Sequence, residues 1–329
     1  MMAAPAANAS GAAVQRRPVI ASLAAIAAIS VLVSFAPAPG ADLFREEAHN
    51  AGHVVVFAIV GFLLRPLLSA RFSTAVAIAT TLLVATILGA LTEAAQSLLG
   101  GDPSFGDVLR DLWGTIVGVT ASLGSRSAAA RPSRALQALA AFGLLLGLLP
   151  LGRTMLAYHE RDARLPVVLD ANVAASLAFA RVGSDVREPS VLHVAPVPAR
   201  WASKDSELAL RIRLDRGDWP GLSIGEPAPD WHGHRALALD LVNPQPRAMS
   251  INLRVDDEQS GNDESRRHDE DLKIAARSRQ IVEVPLDRIS ITPSGRKLDL
   301  SSIRQVIIFH GGARPGEEFF LVSVRLVLR

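Results

Sequence analysis

The 329-residue chain contains no cysteine, which excludes disulfides, thiolate metal sites and a cysteine nucleophile. Any water-soluble part must therefore be stable through its own core. Charge is also sparse, at 20% of residues with a net charge of +2. That balance, without a basic stripe interleaved with aromatics, excludes nucleic acid as a partner. Also missing are HExxH or comparable zinc spacing, a nucleophile elbow with a Ser-His-Asp order, an identifiable pair of glycosidase carboxylates and EF-hand spacing. Four tryptophans and one tyrosine are few enough for each tryptophan to be weighed singly in an argument about recognition.

What is present is divided unevenly. The chain is 49% hydrophobic, and the apolar residues concentrate in the first 155 positions, whereas most Asp, Glu, Arg and Lys follow them. Two regions with different solvents are implied, a membrane domain and then a water-soluble one. A bilayer core of roughly 30 Å needs about 20 apolar residues per helix. Five segments meet or approach this length, at about 18–37, 50–69, 73–99, 107–124 and 134–151. Pro18 suits a first helical turn, and Pro66 marks the end of the second segment.

Arg and Lys in short loops set the orientation. Arg16, Arg17, Arg65, Arg71, Arg126, Arg131 and Arg134 fall on one side if five helices alternate, while Arg45 and Arg110 on the other side sit among acids. The expected layout is a cytoplasmic tail at 1–17, a transmembrane domain at 18–151, a charged juncture at 152–164 and an extracytoplasmic (periplasmic) domain at 165–329. Residues 1–38 also have the outline of a signal peptide, with small residues near Ala36 and Ala38. Cleavage there would remove the first helix without changing the sidedness of the rest.

In this layout His49 and His53, Glu93 and Gln96, and Ser104, Asp107, Arg110 and Asp111 meet at the outer membrane boundary. A rise of about 1.5 Å per residue puts Glu93 roughly 9 Å below the end of its helix. His49 with His53, and Asp107 with Asp111, are spaced i and i+4 on one helix face. Charge in or beside lipid is costly, so Glu93 is a candidate for a ligand, proton or catalytic role. It can equally be a buried carboxylate that pairs with a histidine or Gln96 and holds helices together. Ser104 followed by Asp107 resembles a capping box, a purely structural role that does not exclude ligand binding. A metal site from His53, Glu93 and Asp107 is chemically possible, but no spacing motif supports it, so no metal or cofactor is expected. Gly114 with Gly118, and Gly143 with Gly147, have GxxxG spacing, for which ordinary close helix packing is sufficient.

Residues 49–119, about a fifth of the chain, resemble the VanZ-like membrane family, named for a teicoplanin-resistance protein. The likeness rests on His53 with Phe57, Gly61, Leu63 and Leu64, on Glu93 and Gln96 as ExxQ, and on Ser104, Asp107, Gly114 and Gly118 as SxxDxxxxxxGxxxG. The chain departs from the family pattern at His49 and Asn50, at Gly101 and at Asp111, where the family has Asp-Lys, Arg and Asn. These changes make the cluster more acidic, with Arg110 as the nearby replacement cation. The resemblance implies a role with cell-envelope glycan or lipid-linked precursors and carries no agreed mechanism.

Beyond the juncture the periodicity changes from helical to alternating. Segments 207–214, 235–243, 249–256, 279–286, 303–310 and 319–329 read as strands with one buried face. Their spacing predicts an antiparallel all-β sandwich, preferably a jelly roll. The order of signals resembles the galactose-binding-like sandwiches of carbohydrate-binding modules. Trp201, Trp219 and Trp231 are the candidate glycan platforms, with His232, His234, Asp256 and Asp257 as polar companions, although a sandwich Trp also commonly fills core. Residues 256–271 read as a solvated loop, in which Asp256, Asp257, Asn262 and Asp263 offer oxygens to calcium.

The expectation is a non-enzymatic envelope membrane protein that binds a lipid-linked or glycan component, with membrane lipid and polysaccharide as partners. The alternative is an intramembrane enzyme with Glu93 as general base and His53 as its partner. A transport pathway fits less well, because the helices are few and no repeated half is visible.

Overall fold

The computed structural model describes residues 42–98, 104–125, 132–182, 193–213, 221–228, 230–261, 263–310 and 316–329. They fall into two compact units, one up to Thr154 and one from Met155 onward. The expected first span at about 18–37, the choice between anchor and cleaved leader, Trp219 and Asn262 lie outside the described residues.

The first unit is built on α1 (Leu43–Ser69), α2 (Thr74–Leu98), α3 (Phe105–Gly124) and the start of α4 (Arg134–Ala163). Helix α1 begins well before the expected position 50, because Asp42 caps it: its Oδ1 accepts from the Arg45 amide at 2.7 Å, and Glu46 lies in the first turn. Acids that read as loop charges instead favour the helix N-terminus. Pro66 does not end this helix, which continues to Ser69, and Arg65 is a buried residue of α1 rather than a loop cation.

Helix α4 passes Pro150 and reaches Ala163, so the expected juncture at 152–164 is helical over nearly all its length. The residues after Gly152 are charged but mostly good helix formers, and charge alone does not break a helix. Within the second unit the last turns of α4 are held by Tyr158, whose ring meets Phe179 edge-on at 5.1 Å. Arg161 lies over both rings and donates to the Glu226 carbonyl at 3.0 Å.

Three of these helices, α1, α2 and α4, are long and apolar enough to cross a membrane. Large apolar side chains such as Leu83, Leu91 and Leu145 stand outward on them. Threonines in α2 and α3 return their hydroxyls to the preceding turn, as Thr81 does to the Ala77 carbonyl at 2.7 Å and Thr115 to the Asp111 carbonyl at 2.8 Å. Polar groups are thereby satisfied without leaving the helix.

Glycine sets how closely α1 and α3 approach. A Cβ on Gly118 would stand 1.9 Å from the Ala58 carbonyl oxygen, one on Gly114 2.4 Å from that of Val54, and one on Gly61 2.5 Å from that of Thr115. The backbones touch where side chains would hold them apart. Helix α4 adds to this packing, with Gly147 against Val54 and Trp113 and with the Trp113 indole N–H donating to the Gly143 carbonyl at 3.0 Å. Both GxxxG pairs thus serve intramolecular packing.

The second unit is a two-sheet antiparallel sandwich. One sheet has the order β3 (His193–Pro196), β4 (Leu208–Arg213), β11 (Glu318–Leu328), β6 (His234–Asn243), β9 (Ser278–Pro285), with β1 (Val167–Asp170) pairing with β11. The other has the order β2 (Ala180–Val182), β5 (Gly221–Gly225), β10 (Ile303–Phe309), β7 (Met249–Asp257), β8 (His268–Ile274). The six strands expected from alternation are all present within about a residue of their predicted ends. Leu210, Leu239, Leu241 and Leu321 of the first sheet meet Leu222, Ile251, Leu253 and Val306 of the second in one core.

Strand β8 corrects the reading of 256–271 as one solvated loop. His268, Leu272 and Ile274 turn inward while Asp269, Glu270, Asp271 and Lys273 occupy the alternate or edge positions, so a half-buried strand was concealed by its polar face.

Candidate functional site

The close α1–α3 crossing brings together most of the polar residues singled out from the sequence. His53, 1% exposed, has its Nδ1 2.8 Å from Oδ1 of Asp111, which is fully buried. Its Nε2 lies 3.2 Å from Nε2 of His49, one turn earlier on α1. The missing side chain of Gly89 on α2 makes room for Asp111, since a Cβ there would stand 2.5 Å from Asp111 Oδ2. Three helices therefore converge on one carboxylate.

Glu93 has a different task from the one that a pairing with His53 would give it. Its Oε2 accepts from the Ser104 backbone N–H at 2.8 Å, while the Ser104 hydroxyl accepts from the Gly106 amide at 3.1 Å. Ser104 is the N-cap of α3, as the sequence pattern suggested, but the acid that completes the exchange comes from α2 rather than from Asp107. Asp107 is left free to pair with Arg110, at 2.6 Å. Gln96 stands one turn beyond Glu93, partly buried. Among the described residues, Glu93 Oε1 and Asp111 Oδ2 are buried oxygens that accept no hydrogen bond. Such atoms are costly in a dry interior, and at a site they are where a ligand or cation would be accommodated.

The trio His53, Glu93 and Asp107, chemically possible from the sequence but unsupported by spacing, is not the one that assembles. Ligand atoms of His49, His53 and Asp107 lie within 4.8 Å of one another. Spacing places His49 beside His53, and the structure adds it to the candidate ligands. Gly89 was missed altogether, because a glycine in an Ala-rich helix gives no sign of which neighbour needs its space.

In the sandwich the platform candidates separate. Trp231 is fully buried, and its indole N–H donates to the Ala228 carbonyl at 2.8 Å, so it fills core rather than presenting a face to a sugar. Trp201 is partly exposed on the outer side of the first sheet, packed with Val197, Ala209, Val242, Phe320 and Val322. The Arg200 guanidinium lies 4.4 Å from the centroid of its ring. Beneath it Arg279 donates to the Trp201 carbonyl at 2.7 Å and bridges Glu207 and Asp240. The hydrogen bonds from Arg279, helped by the Ser203 amide, bring the Glu207 carboxyl down to about 2 from its usual 4.5. The same pairings raise the Arg279 guanidinium above its usual range.

Asp256 and Asp257 are not free calcium ligands. Asp257 is fully buried and accepts from Arg296 at 2.7 and 2.8 Å, from the Ser260 hydroxyl at 2.8 Å and from the Asp299 amide at 2.8 Å. Burial alone would raise its pKa, but these hydrogen bonds bring it down to about 2. Asp256 is held by Arg254 at 2.7 Å and by Gln305. Asp263 caps a short 3-10 turn through the Ser265 amide. His232 pairs with Asp230 at 2.7 Å on the exposed edge, and His234 lies 3.3 Å from the Trp231 carbonyl.

No protein-family model matches the chain, and no curated protein matches it. Among solved structures it is similar over 45% of its length to 24% of an exo-beta-agarase chain, at 15% identity and a TM-score of 0.33. It is similar over 45% of its length to 95% of a Family 11 carbohydrate-binding module from Clostridium thermocellum, solved with a beta-1,3-1,4-mixed-linked tetrasaccharide, at 14% identity and a TM-score of 0.29. A third similarity covers 50% of this chain and 93% of a carbohydrate-binding module specific for non-crystalline cellulose, at 13% identity and a TM-score of 0.35. The chain spans about a quarter of the length of the agarase chains it matches, 24% and 26%.

Proposed function

We propose that the chain is an integral protein of the cytoplasmic membrane whose polar cluster binds the headgroup of a lipid-linked or glycan component of the cell envelope, without catalysis. The observation that carries this reading is the convergence of His53, Glu93, Asp107, Arg110 and Asp111 from three separate helices, with two carboxylate oxygens left without a hydrogen bond. Ionisable groups among apolar helices are expensive to keep, and function is the usual reason for keeping them. The VanZ-like resemblance includes His53, Glu93 and Asp107 of this cluster and supplies the envelope context.

The β-sandwich, with its jelly-roll-like character, takes the extracytoplasmic side in this proposal and recognises polysaccharide, with Trp201 as the aromatic surface. An enzymatic use of the cluster would rest on the His53–Asp111 pair or on Oε1 of Glu93, since Oε2 of Glu93 already accepts from the Ser104 amide.

Native mass spectrometry of the full chain from detergent tests the reading. The wild type is expected to retain a lipid or lipid-linked glycan that is lost from the Glu93→Gln, Asp107→Asn double variant. Equal retention by both proteins would remove the cluster from ligand binding.

A further inference from the structure

We infer that His49, His53 and Asp107 form a site for one divalent transition-metal ion of the zinc class. The inference uses the same cluster as the proposed headgroup site but does not depend on which lipid or glycan that site meets. Metal–ligand bonds of about 2.0–2.1 Å at tetrahedral angles place two ligand nitrogens roughly 3.3 Å apart. The Nε2 atoms of His49 and His53 are already 3.2 Å apart. All three candidate ligand atoms lie within 4.8 Å of one another, so Asp107 closes the trio by a small side-chain movement. Arg110 occupies only Asp107 Oδ1, and the carboxylate has a second oxygen to offer.

The surroundings favour a cation over a simple histidine–histidine hydrogen bond. Asp111 accepts from His53 Nδ1–H at 2.8 Å, which leaves the lone pair on Nε2 directed at His49. Metal-bound histidines are oriented in this way by a carboxylate behind them. In the metal-free protein the His49 Nε2–H can donate to that lone pair. When the ion binds, His49 carries its proton on Nδ1 instead, so both Nε2 atoms become ligands without net proton release. Three carboxylates, Glu93, Asp107 and Asp111, face one guanidinium, Arg110, in a largely buried setting. A divalent cation relieves that excess, and three protein ligands leave a fourth position for water or an anionic oxygen of the ligand.

The test uses the full-length protein, purified in detergent without a polyhistidine tag, stripped with chelator and titrated with zinc alone against a chromophoric competitor, then with cobalt(II) for visible spectra. One ion per chain and the intense d–d bands of a tetrahedral site are expected. His53→Ala and Asp107→Asn should abolish stoichiometric binding. Asp111→Asn, which removes only the orienting carboxylate, should weaken it by about 10- to 100-fold. His49→Gln, at a partly exposed position, provides a ligand loss that leaves the fold intact, checked by circular dichroism and gel filtration. Binding below one ion per chain, or binding unchanged in His49→Gln, would overturn the inference. Because the titration reads bound metal and the mass spectrum reads bound lipid, failure here leaves the headgroup reading to be judged separately by mass spectrometry.

Discussion

Acid should unfold the sandwich through two carboxylates, and the size of the effect follows from their partners. Glu207 is held at about 2 against a usual 4.5, and Asp257 at about 2 against 3.8. A depressed folded pKa means that the stabilisation is fully present above the unfolded value and is lost as pH falls toward the folded one. At about 1.4 kcal/mol per unit, Glu207 contributes about 3 kcal/mol and Asp257 about 2 kcal/mol near neutrality. Linkage over the window from pH 7 to pH 3 removes about 2 kcal/mol for Glu207 and about 1 kcal/mol for Asp257. Glu207→Gln isolates the first of these, and Arg279 still keeps Asp240 as a partner at 2.6 Å, so no cation is stranded. Measured by thermal unfolding in detergent, the wild type should be more stable than this variant at pH 7. The gap should narrow by about 4–8 °C at pH 3, given about 2–4 °C per kcal/mol for a domain of this size. Parallel loss of stability in the two proteins would refute the reasoning.

Gly118→Val should separate α1 from α3 and lower the melting temperature of the helical unit, whereas Gly152→Ala, where a Cβ meets nothing within 4 Å, should be neutral or stabilise by up to about 1 kcal/mol. Gly89→Ala should disturb the Asp111–His53 pair and weaken ligand retention without altering helical content, which native mass spectrometry and circular dichroism together would read. Trp231→Ala should cost about 3–5 kcal/mol of sandwich stability, while Trp201→Ala should leave the fold intact and abolish polysaccharide binding in calorimetry. Because the chain has no cysteine, a single cysteine at exposed Ser294 or Asp269 can report sidedness. It should react with a membrane-impermeant maleimide from the periplasmic side, and protection there would reverse the proposed orientation.

How much of this was legible in the sequence depended on periodicity. The long apolar strands β6, β7 and β11 coincide with the expected segments almost to the residue, and β7 keeps its alternation over most of its length. Strands β1, β2 and β3, of four residues or fewer, are too short to show a period, and β8 was hidden by its charged outer face. The charged residues after Gly152 suggest a loop, yet they hold α4 to Ala163, because charge alone does not break a helix. For the site, i and i+4 spacing puts His49 beside His53, and the capping-box pattern marks Ser104 as a cap, as found. Pairings between helices do not follow from spacing, so the exchange of partners that gives Asp111 to His53 and Ser104 to Glu93 had to come from the packing. Trp231 shows the same limit, since burial depends on the facing sheet and not on the tryptophan's own neighbours.

In the proposed function the polar cluster, rather than the apolar helix surface, meets an envelope lipid. Photo-crosslinking the full chain in membranes with a diazirine-bearing polyprenyl phosphate, followed by mapping of the labelled peptides, distinguishes the two surfaces. Labelling concentrated at residues 43–57 and 104–113, and lost in the Glu93→Gln, Asp107→Asn variant, is the predicted result. Labelling spread over the exposed apolar faces of α2 and α4, and unchanged in that variant, would contradict it.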